Sequence, residues 1–327
     1  AGAAPVAAAH AGGALARAAS FQRFPDMEVR LLDLDGSVAG QSLPARRFGL
    51  REWGPLLRLA CGWDAFARFE IDLARRLGST RDEPGLLSFV GSGDFHHLSL
   101  ALLKRQRRPF NLLVLDNHPD WMRHVPLLHC GTWLWHAARL PLVRRVFHLG
   151  GDADFDNRYR PFAPWPLLRQ GKIVVMPARR CFRGWGEVPC EPLRAQPDEP
   201  FSLVRLERLL WPWREELAAH PLYVSLDRDV IAEPESASNW DHGPLSADEV
   251  LRVLGHCLGT APSLAGMDVV GDWSAVQASG GLRTLLHWAE HGSKDMDAAR
   301  ARRLNEPFNL AVIEAVGVSG HRSRPAP

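Results

Sequence analysis

Two clusters of acids, each closing an apolar run, constrain this chain more than any other feature. The runs are LLVLDNHPD at 112–120 and LYVSLDRD at 222–229, and they set Asp116, His118, Asp120, Asp227 and Asp229 at the ends of segments that read as buried parallel strands. In an extended chain, residues two apart point to the same side. Asp116, His118 and Asp120 can therefore converge, and so can Asp227 and Asp229. Ligands of open α/β sheets bind just beyond the carboxyl ends of the strands, so these acids stand where chemistry is expected. An isolated Asp at a strand end is more often a turn or capping residue, the reading that suits Asp94 and Asp152. Several carboxylates in one crevice, by contrast, repel one another unless a cation is present.

A third segment, LLSFVGSGDFHHLSLALL at 86–103, supplies a further apolar strand that breaks at Gly91 and Gly93 before His96 and His97 open a helical pattern. A helix advances by about 100° per residue, so one of the two rings can face the crevice, and His96 is the preferred one. The set is then two imidazoles and four carboxylates, whose charge balances two divalent cations. Oxygen ligands outnumber nitrogen and no thiolate is present, which favours Mn²⁺ over Zn²⁺ or copper. The expectation is a binuclear site with two Mn²⁺ per chain.

These segments resemble those of the ureohydrolases, the arginase, agmatinase and formiminoglutamase family. GSGDFHH, DNHPD and SLDRD stand in the order and spacing of that family's GGDH, D-x-H-x-D and S-x-D-x-D segments, over roughly residues 25 to 320. The resemblance implies an arginase-like three-layer α/β/α fold with a mainly parallel sheet. It also implies that His96, Asp116, His118, Asp120, Asp227 and Asp229 hold two Mn²⁺ ions, and that the chain hydrolyses a C–N bond of a guanidino, amidine or amide substrate.

The departures from the family concern substrate. Phe95 separates Asp94 from His96, which leaves His97 as the alternative ligand. In GMDVVGDWS, Gly271 falls where the family places a guanidinium-binding glutamate, and Asp272 follows it. The stretch after SLDRD reads VIAEPESASNWDHGPLS in place of the family's DPxxAPGT. Asp120, His129 and Asp272 are the catalytic candidates, His129 because it lies where the family has a loop that meets substrate, and Asp272 as a holder of a cationic group shifted by one residue. Cys130 beside His129 is read as packing. Two other classes are a mononuclear Zn²⁺ deacetylase-like amidohydrolase and a non-catalytic metal-binding member of the fold.

The rest of the chain bounds this reading. At 327 residues with 46% hydrophobic content and no evident linker, residues 21–327 are expected to form one domain after a flexible Ala- and Gly-rich arm at 1–20. A net charge of +2 gives little pull on nucleic acid, and the basic run 104–108 suits a helix C-terminus. Five cysteines without CxxC spacing argue against a disulfide framework, and no apolar run is long enough to span a membrane. The expected setting is cytoplasmic, with a small-molecule substrate, a cationic one among the options, and the option of a homo-oligomer. Strands are predicted at 27–33, 86–90, 110–115, 144–149, 172–176, 221–226 and 263–270, and helices at 55–77, 97–106, 131–142, 202–219 and 246–258, the last opened by a Ser246/Glu249 capping box. The Pro-rich stretch 183–200 reads as a surface excursion.

Overall fold

The computed structural model describes residues 27–78, 86–123, 126–182, 188–196, 198–275 and 296–317. The arm expected at 1–20 lies outside them. Eight strands form one parallel sheet: β1 (Glu28–Asp33), β2 (Arg46–Gly49), β4 (Leu86–Gly91), β5 (Phe110–Leu115), β7 (Val143–Leu149), β8 (Ile173–Met176), β9 (Leu222–Asp227) and β10 (Leu264–Val270). Two short strands, β3 (Ala60–Cys61) and β6 (Leu128–His129), pair antiparallel apart from it. All seven predicted strands are present. Strand β2 was missed because RRFG buries only Phe48 among three exposed residues, too little to show a period.

The sheet order is β2-β1-β4-β10-β9-β5-β7-β8, and its register positions the chemistry. Leu115 of β5 pairs with Leu226 of β9, so Asp116 and Asp227 follow on adjacent strands. On the other side, Val270 of β10 pairs with both Asp227 and Gly91. The segments ending β4, β5, β9 and β10 therefore meet at one edge. Both faces are covered, as burial of every residue in β5 and β9 requires. Leu113, Val224 and Met267 face a core shared with helices Leu203–Leu210, Ala247–Thr260 and Ala298–Ala315. Leu112, Val114 and Tyr223 face the other, shared with Trp63–Leu77, Ser99–Leu103 and Trp133–Ala137. The result is the three-layer α/β/α arrangement.

Several helices depart from the apolar pattern where a local signal competes. The run 55–77 splits into Gly54–Leu57 and Trp63–Leu77, because Leu59 takes a left-handed φ of 64° and residues 60–61 enter β3. The run 202–219 breaks at Trp211–Trp213, where Pro212 cannot supply an amide. His96 and His97 lie in a 3₁₀ turn, Gly93–Leu98, ahead of the short helix Ser99–Leu103. The Ser246/Glu249 capping box is formed. Part of the Pro-rich stretch packs inward: Leu193 is buried, and its amide donates to the Pro177 carbonyl.

Helix Ala298–Ala315 is tied to the sheet by a buried polar cluster. Arg228 lies between two of the acids in sequence, but its guanidinium reaches the helix, donating to the Asn305 carbonyl (3.2 Å) and the Asn309 side chain, with Nε 3.8 Å from Asp272 Oδ2. The Asp272 carboxylate also accepts from Gln41 (2.8 Å), Asn305 (2.9 Å) and Asn309 (3.3 Å). Arg228 is wholly buried. Truncating Asp272 to Ala strands that cation, so a loss of about 3–5 kcal/mol is expected in urea denaturation. A loss below about 1 kcal/mol, the size of an exposed pair, would show that Asp272 does not balance Arg228.

Candidate metal centre

The two acid clusters meet as the sheet register requires. His96 Nδ1 lies 2.9 Å from Asp120 Oδ2, 3.3 Å from Asp116 Oδ2 and 3.4 Å from Asp227 Oδ2. His118 Nδ1 lies 2.8 Å from Asp229 Oδ2 and 4.0 Å from Asp116 Oδ1. Two groups of potential ligand atoms result, His96/Asp116/Asp120 and Asp116/His118/Asp229, each within 4.8 Å of one another, and Asp116 belongs to both. Asp227 borders the first group through Oδ2, while its Oδ1 accepts from the Asp229 amide at 3.0 Å.

Local backbone structure fixes the carboxylates. Asp116 accepts from the His118 amide (2.7 Å), so each cluster is an Asx turn as well as a set of potential ligands. Asp229 Oδ1 accepts from the Asn117 amide at 3.0 Å, which joins one cluster to the other. Asp120 takes a left-handed φ of 50°, tolerable for Asp, and its Oδ2 accepts from Trp133 Nε1 at 2.8 Å.

His96 is held by a chain of hydroxyls that the sequence reading missed. Its Nε2 lies 3.0 Å from Ser225 Oγ, and that hydroxyl donates to Asp268 Oδ1 at 2.8 Å. Asp268 also accepts from Ser99 (2.8 Å) and Tyr223 (2.9 Å). A serine that donates to a carboxylate accepts from the imidazole, so Nε2 carries a hydrogen and a neutral ring turns its Nδ1 lone pair toward three carboxylates. Nδ1 and Asp116 Oδ2 are both buried with no partner in hydrogen-bonding geometry. A lone pair facing anions is repulsive unless a cation or a proton stands between them, and hard oxygen donors with two imidazoles suit a divalent ion.

The titration behaviour follows from the same crowding. Burial works against charging His96, yet Asp116 and Asp120 hold its pKa well above the usual histidine range. Burial likewise opposes a charged His118, but Asp229 raises it to about 10. Burial and neighbouring carboxylates push Asp116 up, and Asp227 to about 8. Asp229, despite its burial, is lowered by His118. In the metal-free protein, protons take up the charge that a cation would balance.

The cleft over these groups is lined also by His129, Cys130, Asp154, Tyr159 and Trp240. His129 caps the turn Cys130–Thr132, its Nδ1 accepting from the Gly131 amide at 2.9 Å, and β3–β6 pairing anchors it. Trp240 stands edge-on to His118, 5.4 Å between ring centroids, and donates to Asp94 (3.1 Å), which Arg58 holds at 2.7 Å. Asp94 is thus part of a buried ion pair rather than the simple cap expected. Asp152 links two distant loops, its Oδ1 accepting from the Arg179 amide at 3.3 Å.

Two sequence-based candidates lie elsewhere. His97 joins neither ligand group, and burial lowers it to about 3. Asp272 belongs to the Arg228 cluster rather than to the cleft lining, which corrects its expected role as a holder of a cationic group. The neighbouring backbone gives a further reason that the family's glutamate is absent. Gly271 has a φ of 93°, and a Cβ there would stand 2.3 Å from Asp227 Oδ1.

No family model matches the chain. An uncharacterized protein of Thermotoga maritima is 27% identical over 186 residues, 57% of this chain and 58% of that protein, so the chain spans under two thirds of that relative's length. Among solved structures, formimidoylglutamase from Bacillus subtilis has a TM-score of 0.53 at 12% identity, covering 90% of this chain and 88% of its own. Proclavaminate amidino hydrolase from Streptomyces clavuligerus has a TM-score of 0.52 at 17% identity, covering 91% and 94%. Arginase from Bacillus cereus has a TM-score of 0.51 at 13% identity, covering 91% and 100%. At such identities the likeness is one of fold, and with its parallel eight-stranded sheet the chain has the arginase/ureohydrolase-like α/β fold.

Proposed function

We propose that the chain is a binuclear metallohydrolase, most consistent with Mn²⁺, that cleaves a C–N bond of a small guanidino, amidine or amide substrate. The observation that carries this reading is the sharing of Asp116 between the His96/Asp120 and His118/Asp229 groups, above which a cleft opens. His96, Asp116, Asp120 and Asp227 would hold one ion and Asp116, His118, Asp227 and Asp229 the other. Ions bound there supply Lewis acidity and a water of lowered pKa. A single Zn²⁺ would leave His118 and Asp229 without a role, which counts against the mononuclear reading.

The protein's own groups would do the rest. Trp133 and the Asp268–Ser225 pair hold Asp120 and His96 in orientation, which limits reorganisation. His129, which lines the cleft wall, would exchange a proton with a leaving amine, and Asp120 would act as a ligand. The Trp240 ring and Asp154 offer a π face and an acid to a cationic or planar group. With no side chain possible at Gly271 without a shift of Asp227, a guanidinium would not be bound as the resemblance implies. The reading takes 21–327 as one unit acting on a small molecule in the cytoplasm.

Metal analysis of protein purified in Mn²⁺ buffer should find about two ions per chain, and Asp116→Ala should lose both. One tightly bound Zn²⁺, retained in Asp116→Ala, would overturn the binuclear site. Ser225→Ala should keep the fold by circular dichroism but weaken metal binding by about 10–100-fold, the usual effect of removing a group that orients a ligand. Unchanged affinity would mean that Ser225 does not orient His96. Activity is tested by screening guanidino, amidine and acyl-amine compounds for released urea, ammonia or amine. The loss of turnover on chelation and its recovery with Mn²⁺ would tie that activity to the centre.

A further inference from the structure

Cys181 and Cys190 lie beyond the metal centre, at the β8 edge of the sheet. Cys181 is exposed and Cys190 half-buried. Cys181 Sγ donates to the Cys190 carbonyl, and the Cys181 thiol is close enough to raise that of Cys190. Cys190 is fixed to the edge strand by a parallel bridge to Val175, so its place is set by the fold rather than by its nearness in sequence. Neither residue has a part in the proposed chemistry, and the other three cysteines are buried. Burial pushes Cys257 up to about 12 and raises Cys190 as well, so the exposed Cys181 is the thiol open to an oxidant.

We propose that Cys181 and Cys190 form a reversible disulfide, with Cys181 as the sulfur first oxidised and Cys190 as the resolving thiol. The oxidant is a hydroperoxide. The Cys181 thiolate attacks the O–O bond, one oxygen leaves as water or alcohol, and a sulfenic acid remains on Cys181. The Cys190 sulfur then attacks that sulfur, forming the S–S bond and releasing water, while its proton passes to the departing oxygen. Two thiols are oxidised by two electrons and the peroxide is reduced by two. A thiol reductant reverses the bond by exchange at the exposed Cys181 sulfur.

The position of the pair gives the bond a path to the cleft. Phe182, next to Cys181, stacks on Phe155 with ring centroids 4.4 Å apart and planes 2° from parallel. Phe155 packs in turn on Trp121 (5.2 Å) and His148 (5.4 Å), and it follows Asp154 of the cleft wall. Fixing Cys181 to Cys190 therefore restrains the packing behind that wall.

The test is peptide mapping of the intact folded protein after peroxide treatment, alkylation and trypsin digestion without reductant. Residues 181–183 and 184–194 should appear as one linked species, short of two hydrogens and separated by reductant. The link should form about tenfold faster in the folded protein than in concentrated urea, since folding holds the two sulfurs together. In Cys181→Ser, Cys190 should remain open to alkylation and buried Cys61 should be unchanged as an internal control. Three results would overturn the proposal: Cys181 driven to sulfinic acid beside an unmodified Cys190, a Cys181 link between two chains, or equal linkage rates in the folded and urea-treated protein.

Discussion

Mutual repulsion among four buried carboxylates is the constraint around which this structure is built. Asp116, Asp120, Asp227 and Asp229 are gathered at one edge of the sheet with two imidazoles, largely out of contact with water. Such a cluster persists where positive charge is supplied and where the acids cannot move apart. The backbone amides of Asn117, His118 and Asp229, the Trp133 indole and the rigid register of β5 against β9 hold them in place. Charge is the remaining requirement, which protons meet in the metal-free chain and divalent ions would meet more completely.

Around this centre the molecule separates opposing roles on the two sides of a strand end. Asp227 and Asp229 face the cleft, while Arg228 between them is carried to the opposite side and neutralised by Asp272 within a net of amides from helix Ala298–Ala315. That separation keeps the one guanidinium in the motif from pairing with the acids that ions would bind. Behind His96, the Asp268–Ser225 pair does complementary work, fixing which ring nitrogen faces the acids. The supporting carboxylates, Asp268 and Asp272, both come from β10 or the residues that follow it.

Much of the frame was legible because strong, uniform burial leaves a strong pattern. FNLLVL and LYVSLD are apolar on both faces, and both are interior strands of the sheet. Helices were read less well. Pro212 and the left-handed Leu59 interrupt runs whose apolar spacing alone looks continuous, and helix Ala298–Ala315, with Pro307 inside it, was not anticipated. Strand ends with a spacing of two likewise announced the acids of the centre. Ser225 and Asp268 lie within the segments SLDRD and GMDVVGDWS, but spacing along the chain gave no sign that one would support the other behind His96.

What the sequence by itself determined was the inventory and its local geometry: acids two apart at strand ends, one of two adjacent histidines, and glycine where a resembling family carries glutamate. Tertiary structure decided which of these meet. His96 rather than His97 faces the acids, carried on a 3₁₀ turn and held by Ser225 from another strand. Asp272 is directed away from the cleft to the buried Arg228, whose charge it balances together with Asp227. Trp240 enters the cleft because Arg58 and Asp94, 36 positions apart, pair beneath it. Alternation and spacing are properties of neighbours in the chain, whereas a side chain's final partner depends on strand order and on which buried charge must be balanced, and both are settled only when distant segments pack.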